Sequence, residues 1–578
     1  MSDSFAQNSP KIRFTLSFSQ PQTHYINVEM HIDGISKENL DVFMPVWAPG
    51  SYLVREFSKN VEGVVAKGIQ GEELAVNKIR KNGWRIETKG SKSVTLNYQV
   101  YAFEISVRTS FVDKNHAFVS PTGVFMYVKE SFNNPVTVKV IPHHSWSKIS
   151  TGLTPVNDKT NEFVAKDFDW LFDSPIEVGN QDVFEFTAAG VKHEVAMVGG
   201  GNYDKVRLAK DMTKIVEEAT AIFKENPNDR YVFIVHNYKN GGGGLEHLNS
   251  TVLGAKRMEY DKEETYAAFL GLVAHEYFHV WNVKRLRPVA LGPFDYDNEN
   301  YTTDLWIAEG FTAYYDNLVT KRAKCISENQ YLQLLADDIE TQINLPGDKI
   351  QSVAESSFDA WIKYYRQNEN SSNSMVSYYT KGSLLGLILD LKILDKSKGK
   401  HSLDDVMLKA YNQFYKTEQR GFTSDEFKET LESVLGSKLD DFYTDYVYGT
   451  KSIDYATLLD KAGLELMINP GNDKPALGVS VNKSNIITKV VRDGSAWLGG
   501  LNVNDELIAI NGIRVDELSK LVQGYKVGDS LDVLVNRDGV IKTFNMKLLA
   551  DNSKKVLLVK KGTMSKQEQA IYNKWLRM

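Results

Sequence analysis

The chain has 578 residues, 42% of them hydrophobic and 25% charged, with a net charge of −6 at pH 7. That length is too great for one hydrophobic core and predicts several domains. The charge is mixed along the chain, which argues against a nucleic-acid binder, since those concentrate Lys and Arg. The short basic run 396–400 reads as a solvated loop. Cys325 is the one cysteine, so an intrachain disulfide is excluded. The opening "MSDSFAQNSPKIRF" lacks the basic start and apolar core of a signal peptide. A cytoplasmic location is therefore expected, or a periplasmic one where a signal has been removed. No apolar run reaches the roughly 18 residues of a membrane span.

Residues 1–185 read as β-rich. "KIRFTLSF", "THYINVEMHI", "SVTLNYQVYAF", "GVFMYV" and "PVTVKVIP" are short, β-branched and aromatic, partly alternating, and separated by Gly, Asn, Lys and Pro. Sheets packed face to face are expected. Residues 186–465 open with helical periodicity, "NYDKVRLAKDMTKIVEEATAIFKEN", then a buried strand, "DRYVFIVH", and are mainly helical beyond it. "SLDD" at 402–405 and "TSDE" at 423–426 are helix starts, and "RQNENSSNS", 366–374, reads as an exposed loop. Residues 466–552 alternate short strands with Gly-Asn-Asp turns. Residues 553–578 end in an amphipathic segment expected to dock as a helix.

The chemistry concentrates in "GLVAHEYFHVWNVKRL", 271–286. Acidic residues precede it and apolar residues recur at helical spacing, so it reads as a helix. His275 and His279 then lie one turn apart on one face. Two imidazoles so placed can hold one Zn²⁺, with Glu276 beside them as a base toward a water molecule. The competing reading is a pair of satisfied core histidines. Catalytic zinc takes a third protein ligand, and "YTTDLWIAEGFTAYYDNLVTKRA", 301–323, offers Glu309 among apolar neighbours, where an unpaired carboxylate is costly. Against this stands an exposed Glu on an amphipathic helix. Gly310 lowers helix stability and suits a close backbone approach.

A His-Glu-x-x-His helix followed by a helix carrying Glu resembles the thermolysin-like zinc peptidases, the gluzincins. "WIAEGFTAYY" resembles the ligand helix of the aminopeptidase N and leukotriene hydrolase group. "NGGGGLEH", 240–247, resembles the Gly-x-Met-Glu-Asn exopeptidase motif of that group, with Gly243, Gly244, Leu245 and Glu246 on its first four positions and His247 in place of Asn. The resemblance implies that Gly243 and Gly244 line the substrate and that Glu246 binds its α-ammonium. "SYYTKGSLLGLIL", 377–389, resembles the Tyr-x-Lys-Gly helix start of the group, which puts oxyanion stabilisation on Tyr379. Neighbouring Tyr378 reads as packing and Lys381 as structural.

The glycyl aminopeptidase family, gluzincins that end in a PDZ domain, is the closer resemblance. "MPVWAPGSYLVREFSKNV", 44–61, resembles its N-terminal β domain, and "HEYFHVWNVKRLRP", 275–288, its zinc helix. "ALGVSV", 476–481, and "VVRDGSAWLGGLNVNDELIAINGIRV", 490–515, resemble a PDZ domain, whose carboxylate-binding loop falls around Leu477-Gly478. Asp505 and the Asn511-Gly512 turn read as structural. For "WAPGSY" a rigid turn is the favoured reading over a loop that reaches the cleft.

The implied fold class is multidomain α+β: an N-terminal β-sandwich-like domain at 1–185, a mainly helical thermolysin-like zinc peptidase domain at 186–465, a PDZ domain at 466–552 and a C-terminal helical extension at 553–578. The implied function is a zinc aminopeptidase with one Zn²⁺ per chain, held by His275, His279 and Glu309. Its base is Glu276, and its partners are peptides with a free N-terminus, Gly or Ala foremost, with a peptide C-terminus at the PDZ groove and no nucleic acid. A zinc endopeptidase or other hydrolase on the same site, and a PDZ-based adaptor with a vestigial peptidase domain, are the competing functions.

Overall fold

The computed structural model describes residues 10–469 and 474–578. They fall into two compact units. One gathers the described residues of Met1–Thr302, Tyr315–Ile326 and Met407–Thr423; the other gathers those of Thr303–Tyr314, Ser327–Val406 and Ser424–Met578.

The first unit opens with an eight-stranded sheet. In strand Lys11–Ser17, Ile12, Phe14 and Leu16 point inward while Lys11 and Arg13 face out. The strand pairs antiparallel with Tyr25–Asp33, setting Phe14 opposite Met30 and Leu16 opposite Val28, and parallel with Val136–Ile141. Each such buried side chain contributes about 1.5–3 kcal/mol. A one-residue slip would turn the whole apolar row to water, so the pattern sets the register. A four-stranded sheet follows, in the order Lys148–Thr151, Ile176–Gly179, Ala117–Val119, Phe111–Val112. The chain thus has a β-rich N-terminal domain.

The same unit holds a five-stranded sheet, ordered Asp182–Ala188, Val191–Val198, Arg230–Tyr238, Ser250–Lys256, Gly244–Glu246. Its three inner strands run parallel, and Tyr231, Val232, Phe233, Ile234 and Val235 are all buried, as a strand covered on both faces requires. Gly244–Glu246 is antiparallel to Ser250–Lys256 and forms the edge. Helix Glu263–Phe278 lies against this sheet: the Tyr277 hydroxyl is 2.9 Å from His193 Nε2, and its ring stacks on Phe233.

The second unit is mainly helical, with Glu328–Ile343, Thr380–Ser397 and Ser424–Leu435 as its longer helices. Ser424–Leu435 and Leu403–Ala410 begin where the sequence signals them. Of the stretch 366–374, expected as an exposed loop, 366–370 are exposed, whereas helix Ser371–Ser374 follows and buries Asn373. The Asn373 amide donates to Val490 O (2.8 Å) and accepts from Arg492 N–H (2.9 Å), so two backbone groups draw this polar side chain inward. The segment 474–550 has its own core of Leu477, Ile487, Leu507, Val533 and their neighbours. Asp505 is buried there in a two-pronged ion pair with Arg537, both contacts 2.7 Å. Strand Leu464–Asn469 pairs with Lys555–Lys560, and helix Lys566–Leu576, started by a Ser565–Glu568 capping box, buries Tyr572 and Trp575. Among the described residues no helix is long and apolar enough to cross a membrane.

Candidate active site

Helix Glu263–Phe278 carries Glu263 and Glu264 in its first turn, where carboxylates complement the helix dipole. His275 and His279 close its last turn, ring centroids 4.8 Å apart. The other nitrogen of each ring is taken. His275 Nδ1 meets Asp316 Oδ2 at 3.1 Å, and His279 Nδ1 meets the Asn282 carbonyl at 2.9 Å. A carbonyl can only accept, so Nδ1 of His279 bears the proton. The same tautomer suits His275 against a carboxylate. Both rings then present the lone pair of Nε2, the arrangement metal-ligating histidines share.

The turn that supplies the Asn282 carbonyl is strained. Val283, β-branched, sits at φ +90°, a conformation costing about 1–3 kcal/mol. Buried polar contacts hold it: Arg285 donates to Val280 O and to Asn228 Oδ1, and Lys284 pairs with Asp173 at 2.8 Å.

The glycine segment meets this helix closely. A Cβ on Gly244 would stand 2.1 Å from Glu276 Oε1, so only glycine lets the Glu276 carboxylate lie against the edge strand. Gly243 adopts φ +77°, open to glycine at little cost, and Arg108 Nη2 donates to Gly244 O at 3.1 Å. Carboxylate oxygens of Glu246 and Glu276 and a ring nitrogen of His279 all lie within 4.8 Å of one another. Glu246 is buried. His247 turns away from it, Nδ1 3.0 Å from Asp173 Oδ1. Burial alone would raise the Asp173 carboxyl pKa, but Lys284 and His247 overcome it and hold it below the usual carboxylate value.

The segment 47–52 is a tight turn, with Ala48 bridged to Ser51 and Gly50 at φ +82°. Trp47 is wedged against Tyr52, Phe294 and Tyr296, and its indole donates to Asp295 O at 2.7 Å. The rigid-turn reading is thus met, and the turn does more than pack. A Cβ on Gly50 would stand 2.4 Å from Glu246 Oε1, so the turn rests on that carboxylate.

In the second unit Glu309 is buried in a π-helical turn, Trp306–Gly310. Such turns recur at functional sites because they re-aim side chains. A Cβ on Gly310 would come within 2.5 Å of the Gly382 α-carbon. The two glycines therefore bring the Glu309 turn against the start of helix Thr380–Ser397, just beyond Tyr379. Burial first, and then the Glu309 charge, push the Tyr379 phenol well above its ordinary pKa, so it keeps its proton. Tyr364 stacks on Tyr379 with centroids 5.4 Å apart, and Tyr378 is buried beside them. Lys381 is buried and pairs with Asp348 at 2.7 Å, the structural part expected of it.

Residues 13–180 match the Peptidase M61 N-terminal domain and residues 268–385 match the M61 glycyl aminopeptidase. An aminopeptidase N family protein from Idiomarina loihiensis is similar over 98% of this chain and 100% of its own, at 31% identity and a TM-score of 0.90. The chain belongs to the M61 glycyl aminopeptidase family. It is a metallopeptidase. Two structures of an M1 zinc metallopeptidase from Deinococcus radiodurans are more distant. One has a Tyr-Ser-Ala substrate bound and is 14% identical; the other is 12% identical. Each covers 77% of this chain and 95% of its own, with a TM-score of 0.49. No curated protein matches the sequence.

Asp316 is the site residue that sequence reasoning passes over in this M61 chain. The position four after Glu309, where gluzincins often place an acid, is Ala313; the partner of His275 comes three residues later, seven after Glu309 and so still on its side of a helix. Asp316→Ala is expected to weaken metal binding about 10- to 100-fold, measured by competition with a chromogenic chelator. Unchanged affinity would show that Asp316 does not orient His275. Gly50→Ala is expected to lower kcat/KM on free-amine substrates about 10²-fold by displacing the Glu246 carboxylate, with Tm only slightly reduced. Wild-type kinetics would mean that the turn yields without moving Glu246.

Proposed function

We propose that this metallopeptidase is a zinc aminopeptidase that removes small N-terminal residues, Gly or Ala, from peptides. His275, His279 and Glu309 would hold one zinc ion per chain. The donor set suits zinc: two imidazoles with Nδ1 tied to acceptors, plus one carboxylate. Glu309 belongs to the turn that runs directly into helix Phe311–Arg322, which carries Asp316. Glu309 and Asp316 are thus about two turns apart along one rod, and Asp316 already meets His275. When bound, zinc supplies a Lewis acid that polarises a carbonyl and acidifies water.

The observation that carries the exopeptidase reading is the convergence of Glu246, Glu276 and His279 within 4.8 Å. In a peptide the α-nitrogen is two bonds from its carbonyl carbon. A carboxylate anchoring the ammonium this close to the base leaves room for one residue. An internal segment would instead drive its chain into Glu246 and the turn at Gly50. Glu276 takes the proton of the attacking water, Tyr379 donates to the developing oxyanion, and Glu246 holds the amine.

The test compares alanyl and N-acetyl-alanyl amides on wild type and Glu246→Ala. Free-amine substrate should be strongly preferred, and the variant should lose about 10- to 100-fold in kcat/KM on it, the worth of a charge-assisted contact. Equal cleavage of the blocked amide would favour an endopeptidase. The segment 474–550 we read as a PDZ domain. Gly478 is left-handed at φ +76° just before strand Val479–Val481, a loop that can receive a peptide carboxylate.

A further inference from the structure

Glu177 takes no part in the chemistry above, yet it is 0% exposed in the middle of strand Ile176–Gly179. Its neighbours across the sheet are Phe118 and Ser150. A carboxylate in such a seam is costly unless its charge is met. Two imidazoles meet it. His116 Nδ1 lies 2.8 Å from Oε1, and His236 Nε2 lies 2.9 Å from Oε2. His236 belongs to strand Arg230–Tyr238 of the five-stranded sheet, and His116 to the turn before Ala117–Val119, so three separate segments and two sheets supply the donors. All three donor atoms lie within 4.8 Å of one another.

The surroundings favour an ion over a chance polar contact. Phe118 stands edge-on to the His236 ring at 4.7 Å, and Phe111 covers His116 at 5.3 Å. Gly179 makes room for His116, since a Cβ there would come within 2.9 Å of the His116 Cβ. The outer side of His116 opens on a cavity of about 860 Å³ that Asp113, Tyr238 and Arg257 also line. The cluster therefore has an entry path and a face left for solvent, while Phe118 and Phe111 shield its rings on other sides.

We propose that His116, Glu177 and His236 form a second divalent-cation site, suited to zinc or an ion of similar preference, which joins the four-stranded to the five-stranded sheet. Two ring nitrogens and a carboxylate are a borderline-soft set of this kind. Protons balance simply. Without the ion, Nδ1 of His116 and Nε2 of His236 donate to the Glu177 carboxylate. As the ion takes those nitrogens, a neutral ring shifts that proton to its other nitrogen by exchange with solvent, and a protonated ring releases it to solvent. Binding therefore weakens as pH falls.

The test is metal stoichiometry, independent of turnover and of the proposed catalytic site. Full-length protein stripped by chelator is titrated with Co²⁺ and with Zn²⁺, reading bound metal and the Co²⁺ visible spectrum. Wild type should bind two equivalents. The His275→Ala/His279→Ala double variant should still bind one, and adding His236→Gln should abolish it. His116→Asn, at the cavity margin, is the second variant should the buried change unfold the protein. It should take wild type from two equivalents to one. A double variant that binds no metal, or binding in it undiminished by both His116→Asn and His236→Gln, would overturn the second site and leave the aminopeptidase reading untouched.

Discussion

Glu276→Gln is expected to lower kcat by about 10²- to 10⁴-fold, the usual worth of a general base, while bound metal stays at the wild-type level. The amide keeps the size and shape of the carboxylate but cannot take a proton at neutral pH. Position is also preserved, because the Gly244 α-carbon confines the side chain and a glutamine fits the same gap. Neither Nδ1 contact of the histidines involves Glu276, so the metal affinity should not follow the rate. Metal analysis beside steady-state kinetics separates the two effects. Turnover near wild type would remove Glu276 from the mechanism, and a parallel loss of metal would recast it as a binding residue.

The parts of this site that were legible in the sequence are those set by local periodicity. An i, i+4 histidine pair on an apolar helix must share a face, and the helix does run Glu263–Phe278. Gly310 suits a close backbone approach, and the backbone it meets proves to be that of Gly382. Lys381 reads as structural and is paired with Asp348. What was hidden depends on tertiary placement. The acceptor for His279 is a backbone carbonyl, that of Asn282, and carries no side-chain signal. Gly50 announces a turn, but nothing local reveals that the turn rests on Glu246. The polarity of 366–374 suggested solvent, yet Asn373 found backbone partners at Val490 and Arg492, far along the chain. The fold shows the same division: strand alternation in "KIRFTLSF" predicts its pairing face, whereas the order of strands in the eight-stranded sheet rests on distant contacts.

Tyr379→Phe is expected to reduce kcat about 10²- to 10³-fold, as removal of one oxyanion donor does elsewhere, with KM little changed. The phenol must stay protonated to donate, and burial, the largest cause of its raised pKa, favours that form. Its orientation is set from both sides: Tyr364 stacks on the ring at 29°, and Tyr378 packs against it with centroids 4.7 Å apart. Phenylalanine keeps that stacking and deletes a single O–H, so Tm should hold. A ground-state contact would raise KM instead, because uniform binding energy is lost from substrate and transition state alike. Tyr378→Phe is the control. Its ring is fully buried as packing, and its loss of hydroxyl should leave kcat within a few-fold of wild type. Should Tyr378→Phe instead carry the large fall in kcat while Tyr379→Phe turns over normally, the oxyanion donor would be reassigned by one residue and the family register of the Tyr-x-Lys-Gly segment would be wrong for this chain.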